Sequence, residues 1–187
     1  MPYEAVIWGV ALAATAGLRL FMPFLFLGGM ARYAHTPTPD MLSWTASDAG
    51  FLLLLIATLI EVLSDKIPVV DHALDAAATF LKPLAGVLLP LALLHDVSPM
   101  GAWVLGIAAG APLALGIHAT KAGTRVASTA TTAGTANPFV SILEDALATM
   151  MLILVVIAPF VAAALVVALI VVVIRALRSM SRRLKRT

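Results

Sequence analysis

Eight ionisable side chains stand within or beside stretches that are otherwise apolar: Arg19, Glu61, Asp65, Lys66, Lys121, Arg125, Glu144 and Asp145. His118 lies next to them. A single charge at the centre of a bilayer costs about 2.5–3.5 kcal/mol on insertion scales, so charges in such places are expected to pair or to serve a pathway. Their spacing groups them. Glu61 and Asp65 stand at i and i+4, and His118, Lys121 and Arg125 at i, i+3 and i+7, each set on one helical face. Asn137, Ser141 and Asp145 recur at every fourth position, with Glu144 beside them. Guanidinium stays charged when buried and offers a planar fork to phosphate or carboxylate. Imidazole titrates near neutrality and could make binding depend on pH. Arg19, His118, Lys121 and Arg125 are therefore expected to bind an anionic group. Glu61, Asp65, Lys66, Asn137, Ser141, Glu144 and Asp145 are expected to hold those bases in place or to carry a coupling proton.

Blander readings compete for several of these residues. Asp65, Lys66, Asp71 and Asp75 could lie in a solvated loop, Arg19 in a structural salt bridge, and Asn137 could do no more than cap its helix. Catalysis has little to build on. No H-E-x-x-H, G-x-S-x-G or Gly-rich G-K-[ST] loop occurs, and "HATK" does not place two metal ligands one turn apart. The chain has no cysteine, which removes thiolate ligands, disulfides and cysteine nucleophiles together. An intramembrane hydrolase using His118 with Asp145 is the remaining enzymatic alternative. No enzyme, catalytic residue, metal site or cofactor is expected.

The elements that must hold these residues are membrane elements. The 187 residues are 61% hydrophobic and only 12% charged, with a mean hydropathy of +1.04. Soluble domains are nearer one-quarter charged, so the class expected is an all-α polytopic transmembrane protein. About five hydrophobic segments are expected, some broken or re-entrant. The first runs from about Tyr3 to Met30, carries a Gly9–Ala13–Gly17 stripe, and should kink near Arg19 because Pro23 follows. The second, Phe51 to Leu63, would reach only about 20 Å across a hydrocarbon core of about 30 Å. The third, "KIPVVDHALDAAATFLKPLAG" onward to His95, begins in charges and is expected to be a polar turn and re-entry, with Asp71, Asp75 and Lys82 near one face. The fourth runs from Gly101 to about Thr120. The last opens with Asn137 as N-cap and Pro138 at the first helical position, and bends at Pro159.

A single transmembrane domain over 1–174 is expected, followed by a basic tail, 175–187. Six of the twelve Lys and Arg lie in that tail, so it is expected to be cytoplasmic. "TAGLR" (15–19) and "KAGTR" (121–125) share Ala, Gly and Arg, and each precedes an acid-bearing helix. The echo predicts duplicated halves, about 3–95 and 101–174, with Gly17 and Gly123 at matching helix breaks and the arginines related by a pseudo-twofold axis.

The motifs "AGLR", "DKIPVVD", "GIHATKAGTR" and "NPFVSILED" together resemble an uncharacterised bacterial integral-membrane family, over roughly Ile7 to Pro159. That resemblance implies a bacterial inner-membrane location and no established activity. The fragment "AGLRLFMP" is similar to the Arg-then-Pro motif of DedA-like lipid-phosphate transporters. The function expected is a small transporter or channel for an anionic solute or lipid headgroup, proton-coupled through the acids. A cation pathway through the acids and a non-transporting scaffold are the alternatives. The partners expected are the bilayer, a small anion and a second copy of the chain, with no nucleic acid.

Overall fold

The computed structural model describes residues 2–37, 39–65, 68–94 and 98–184, and the side chains of all of these except residues 2, 68–76, 173, 176–177 and 179–184. Lys66 and His95 lie outside the described residues, and the side chains of Asp71 and Asp75 lie outside them as well. Among the described residues every regular element is helical: α1 (Pro2–Leu18), α2 (Met22–Tyr33), a 3₁₀ turn (Asp40–Ala46), α3 (Asp48–Ser64), α4 (Pro68–Leu94), α5 (Pro99–Leu105), a π-helical turn (Gly106–Gly110), α6 (Ala111–Thr132), α7 (Asn137–Ile157) and α8 (Pro159–Leu184).

By length and composition, Ala77–Leu94, Pro99–Thr132 and Asn137–Ile157 can each cross a bilayer. The 3₁₀ turn and α3, bent by 77°, make a fourth span if taken together, and Tyr3–Leu18 and Pro159–Val172 are shorter apolar helices. The chain is a multi-pass membrane protein.

The first segment is not the single kinked helix expected. Trp8 and Phe26 are 18 residues apart and would be separated by about 27 Å on a continuous helix. Their ring centroids are 6.2 Å apart. The chain therefore folds back after Leu18, and α1 and α2 form a hairpin with Arg19, Leu20 and Phe21 at its tip. Proline at the start of α2 suits either a kink or a reversal, and the reversal follows because the tip is held from outside. Trp8 also lines one cavity with Leu27, Met30 and Leu93, so both arms of the hairpin and the end of α4 reach the same end of the bundle.

That end also holds the start of α8, since Tyr3 stacks on Phe160 at 6.3 Å. The other end holds the end of α3 and the α6–α7 turn. The hairpin thus enters and leaves on one side, while α3, α4, α5–α6, α7 and α8 run between the two ends. Both arms of the α1–α2 hairpin thus open to one end, and from Pro68 the stretch after Asp65 is helical as the start of α4, while residues 66–67 of the expected polar turn lie outside the described residues.

The remaining differences are local. α3 is longer than the expected 13 residues because Ser47 caps it earlier, its Oγ accepting from the Gly50 N–H at 3.1 Å. Asn137 is the first residue of α7 rather than its cap; its side-chain amide donates to Thr129 Oγ1 at 2.9 Å across the turn. Pro159 starts a separate helix after a break at Ala158.

α1 packs against α4, α6, α7 and α8 at once, and one interior cluster joins Ala11, Ala14 and Leu18 to Ile117, Met151 and Val166. α4 crosses the α5–α6 rod where Gly86 meets Gly110, and a Cβ on Gly110 would collide with the Gly86 carbonyl. Small residues let the backbones touch there, as membrane helices require.

Candidate functional site

Asp65 ends α3 and is the hub of a buried ion network. Its Oδ2 takes Lys121 Nζ at 2.9 Å, a terminal nitrogen of Arg125 at 2.7 Å, and a short contact from Arg19. Arg125 reaches Glu144 Oε2 with the same nitrogen at 2.8 Å, and Lys121 Nζ stands 3.6 Å from it. Arg19 turns its other nitrogen to Asp145 Oδ1 at 2.5 Å and to Ser141 Oγ at 3.2 Å. The Arg19 side chain is wholly buried, with 0% of it exposed. In low dielectric, only such dense pairing offsets the loss of water around each charge.

Local sequence explains why these groups meet. Lys121 and Arg125 sit one turn apart on the buried face of α6, as their spacing predicts, with His118 in the turn before. Ser141 and Glu144 are on the buried face of α7, while Asp145 is partly exposed. Arg19 arrives from the hairpin tip. Its own N–H still bonds Thr15 O at 2.7 Å, so the arginine completes α1 before the chain turns.

Glu61 has a task that the spacing with Asp65 does not suggest. Its two carboxylate oxygens accept the backbone N–H groups of Leu20 at 2.7 Å and Phe21 at 3.2 Å. These amides precede α2 and have no helical partner, so a carboxylate on a neighbouring helix closes the tip. Asn137 does not reach the network and clamps the α6–α7 turn.

Lys82 was given a helical face by its sequence but no place in the centre. It belongs there. Nζ is buried, donates to Leu18 O at 3.2 Å, and lies 3.4 Å from His118 Nδ1. His118 Nε2 is 3.2 Å from Thr79 Oγ1. Both ring nitrogens of His118 are thus met by side chains of α4. The signal available in sequence was a lone charge inside the apolar window Ala77–Leu94.

Two cavities flank the network. One of 260 Å³ is lined by Phe21, Glu61, Asp65, Lys82 and Lys121 together with apolar residues of α3 and α4. A second of 180 Å³ is lined by Lys121, Thr120, Thr124, Glu144 and the α8 residues Leu169 and Val172. Lys121 is in the wall of both.

The duplicated break is not found. α6 runs without interruption through Gly123, and a Cβ there would meet nothing within 4 Å, whereas one on Gly17 would stand 2.7 Å from Ala114 O. Gly17→Ala is therefore expected to destabilise by about 1–3 kcal/mol through overpacking. Gly123→Ala should be neutral, or stabilising by up to about 1 kcal/mol through helix propensity. Thermal melting of the two variants in detergent compares them, and equal losses at both positions would restore the repeat.

A sequence-family model described as "Domain of unknown function (DUF4126)" matches residues 6–179. No curated protein and no solved structure matches the chain, so the likeness of "AGLRLFMP" to DedA-like transporters gains no support there.

Proposed function

The chain belongs to the DUF4126 family, whose defining domain has no assigned activity, and we propose from its own charged centre that it is a small transporter for an anionic group. The observation that carries this is the position of Lys121, shared by two cavities on opposite flanks of the ion network. An anion entering either cavity meets an ammonium already held by carboxylates, and can exchange with them at modest cost because charge is conserved locally. Arg19 at the tip of a re-entrant hairpin adds an element that could rock against the α6–α7 pair. Glu61, Asp65, Glu144 and Asp145 would be the groups that take up a coupling proton as the bases change partners.

The complete pairing of Asp65 favours one second reading, a scaffold in which the network only fixes helix register. Flux decides between them. Proteoliposomes containing the purified chain should move an anionic group, read as release of trapped phosphate or as transfer of a labelled anionic lipid between leaflets, faster than protein-free vesicles, and should leave trapped potassium unaffected. Potassium release alone would favour the cation pathway, and movement of none of the three would favour the scaffold.

The setting proposed is a bacterial inner membrane, with two copies enclosing the pathway and no chemistry performed on the substrate. Arg175 follows Val172, which lines the cavity beside Glu144, so the basic tail leaves on the side nearer the charged centre. A reporter fused to the C-terminus is expected to be active only if it functions in the cytoplasm. The N-terminus should report from the opposite face, and a periplasmic C-terminal signal would reverse the orientation.

A further inference from the structure

The 260 Å³ cavity does not end at its apolar wall. Leu20, Phe21, Ala57 and Leu81 are shared with a larger groove of 460 Å³, lined throughout by apolar side chains that include Phe24, Trp44, Leu53 and Leu84. Together the two lie in the range of small-ligand sites, about 300–1,000 Å³. Groove and cavity are bounded by α2, the 3₁₀ turn, α3 and α4. α3 packs chiefly on α2 and the 3₁₀ turn and touches α4 only sparsely, which is what leaves the gap.

The mouth of that gap faces the bilayer rather than water. Leu53, Ile60, Leu81 and Leu84 line it and are also exposed, as are their neighbours Leu52, Ile56, Leu59 and Phe80. A soluble anion would find no polar route through these side chains. A lipid would. Lys82 and Lys121 stand at the closed end, near the side from which the basic tail leaves, and the apolar part points toward the other side. That is the polarity of a lipid lying in the leaflet of the tail side, its anionic headgroup at the lysines and an acyl chain along α3 toward Trp44. Glu61 and Asp65 share the closed end, but each is already engaged, by two backbone amides and by three cations respectively.

We infer that the substrate of this site is an anionic phospholipid, admitted sideways between α3 and α4. This rests on the transporter reading above and names its substrate class.

Trp44 makes the test direct. In a Trp8→Phe/Trp103→Phe variant it is the remaining tryptophan, and brominated acyl chains quench tryptophan on contact. Vesicles of phosphatidylcholine would carry either brominated phosphatidate or brominated phosphatidylcholine. Brominated phosphatidate is expected to quench Trp44 at a mole fraction about fivefold lower, the effect of one well-placed lysine on an anionic lipid. Lys82→Gln should reduce that preference. Ala57→Phe, which fills the neck between cavity and groove, should abolish it while the melting temperature holds; Leu81→Phe serves if Ala57→Phe does not fold.

Equal quenching by the two lipids would overturn the inference, as would a preference that survives both neck-filling variants. The absence of native cysteine allows a third check. Efficient disulfide formation between copies through Leu53→Cys or Leu84→Cys would show that a second chain covers the groove, and would also overturn it. Release of phosphate from proteoliposomes without lipid preference defeats this inference and leaves the transporter reading standing. Lipid preference without movement of phosphate or lipid does the reverse.

Discussion

Asp65→Asn is expected to be the most damaging single substitution in the protein, costing about 3–5 kcal/mol or more. The carboxamide keeps the size of the side chain and removes the charge. Lys121, Arg125 and Arg19 all converge on one oxygen of Asp65, so the substitution takes away the carboxylate that three buried cations share. Breaking a buried pair from one side is what makes such losses large, because the stranded charge stays away from water. Salt should not rescue the variant, since ions screen exposed charges and reach buried ones poorly. Asp145→Asn provides the contrast: Asp145, which pairs with Arg19, is 23% exposed where Asp65 is 5% exposed, so a smaller loss is expected. Adding Lys121→Met to Asp65→Asn should recover part of the stability by removing one of the stranded cations. Melting and monodispersity in detergent read all three. Asp65→Asn melting with the native protein would mean that the network contributes nothing to the fold.

The grouping of charges was legible in the sequence for a simple reason. A charge in an apolar stretch has few places to go, and helical spacing tells which charges travel together. His118, Lys121 and Arg125 share a buried face as their register predicts, and Ser141 and Glu144 do likewise. The hairpin was not legible. A proline four residues after an arginine is compatible with a kink or a full reversal, and the deciding group is Glu61, forty residues further along the chain. Its role as a cap for Leu20 and Phe21 depends on tertiary approach, to which i, i+4 spacing is blind. Lys82 is a single charge in the apolar part of α4, and its spacing does not reveal the groups that meet it from α1 and α6, the Leu18 carbonyl and His118. The echo of "TAGLR" in "KAGTR" did mark two arginines that meet at one aspartate, but they come to it from a helix break and from an unbroken helix. Similar local sequence does not impose similar backbone, and Gly123 needs no break because nothing crowds it.

Arg125 offers the test that separates function from scaffolding at the same centre. One of its terminal nitrogens bridges Asp65 Oδ2 at 2.7 Å and Glu144 Oε2 at 2.8 Å. Arg125→Ala should therefore destabilise by about 3–5 kcal/mol, because two buried carboxylates lose a shared counter-ion. Removing Glu144 as well leaves two carboxylates, Asp65 and Asp145, with two cations, Lys121 and Arg19, a balanced remnant, so Arg125→Ala/Glu144→Ala is expected to regain most of the stability. Interaction between the two sites appears as the difference between the double variant and the sum of the singles. Flux should not follow stability. Under the transporter reading proposed above, an anion displacing the carboxylates at Lys121 meets the neighbouring Arg125 guanidinium, and a double variant lacks it however well it folds. Arg125→Lys is informative for the same reason, since a point-like ammonium keeps the charge and loses the fork that grips an oxyanion. It is expected to fold, and to transport less than the native chain. If Arg125→Ala/Glu144→Ala recovers both melting temperature and flux, the arginine is a structural counter-ion and the anion must take another route.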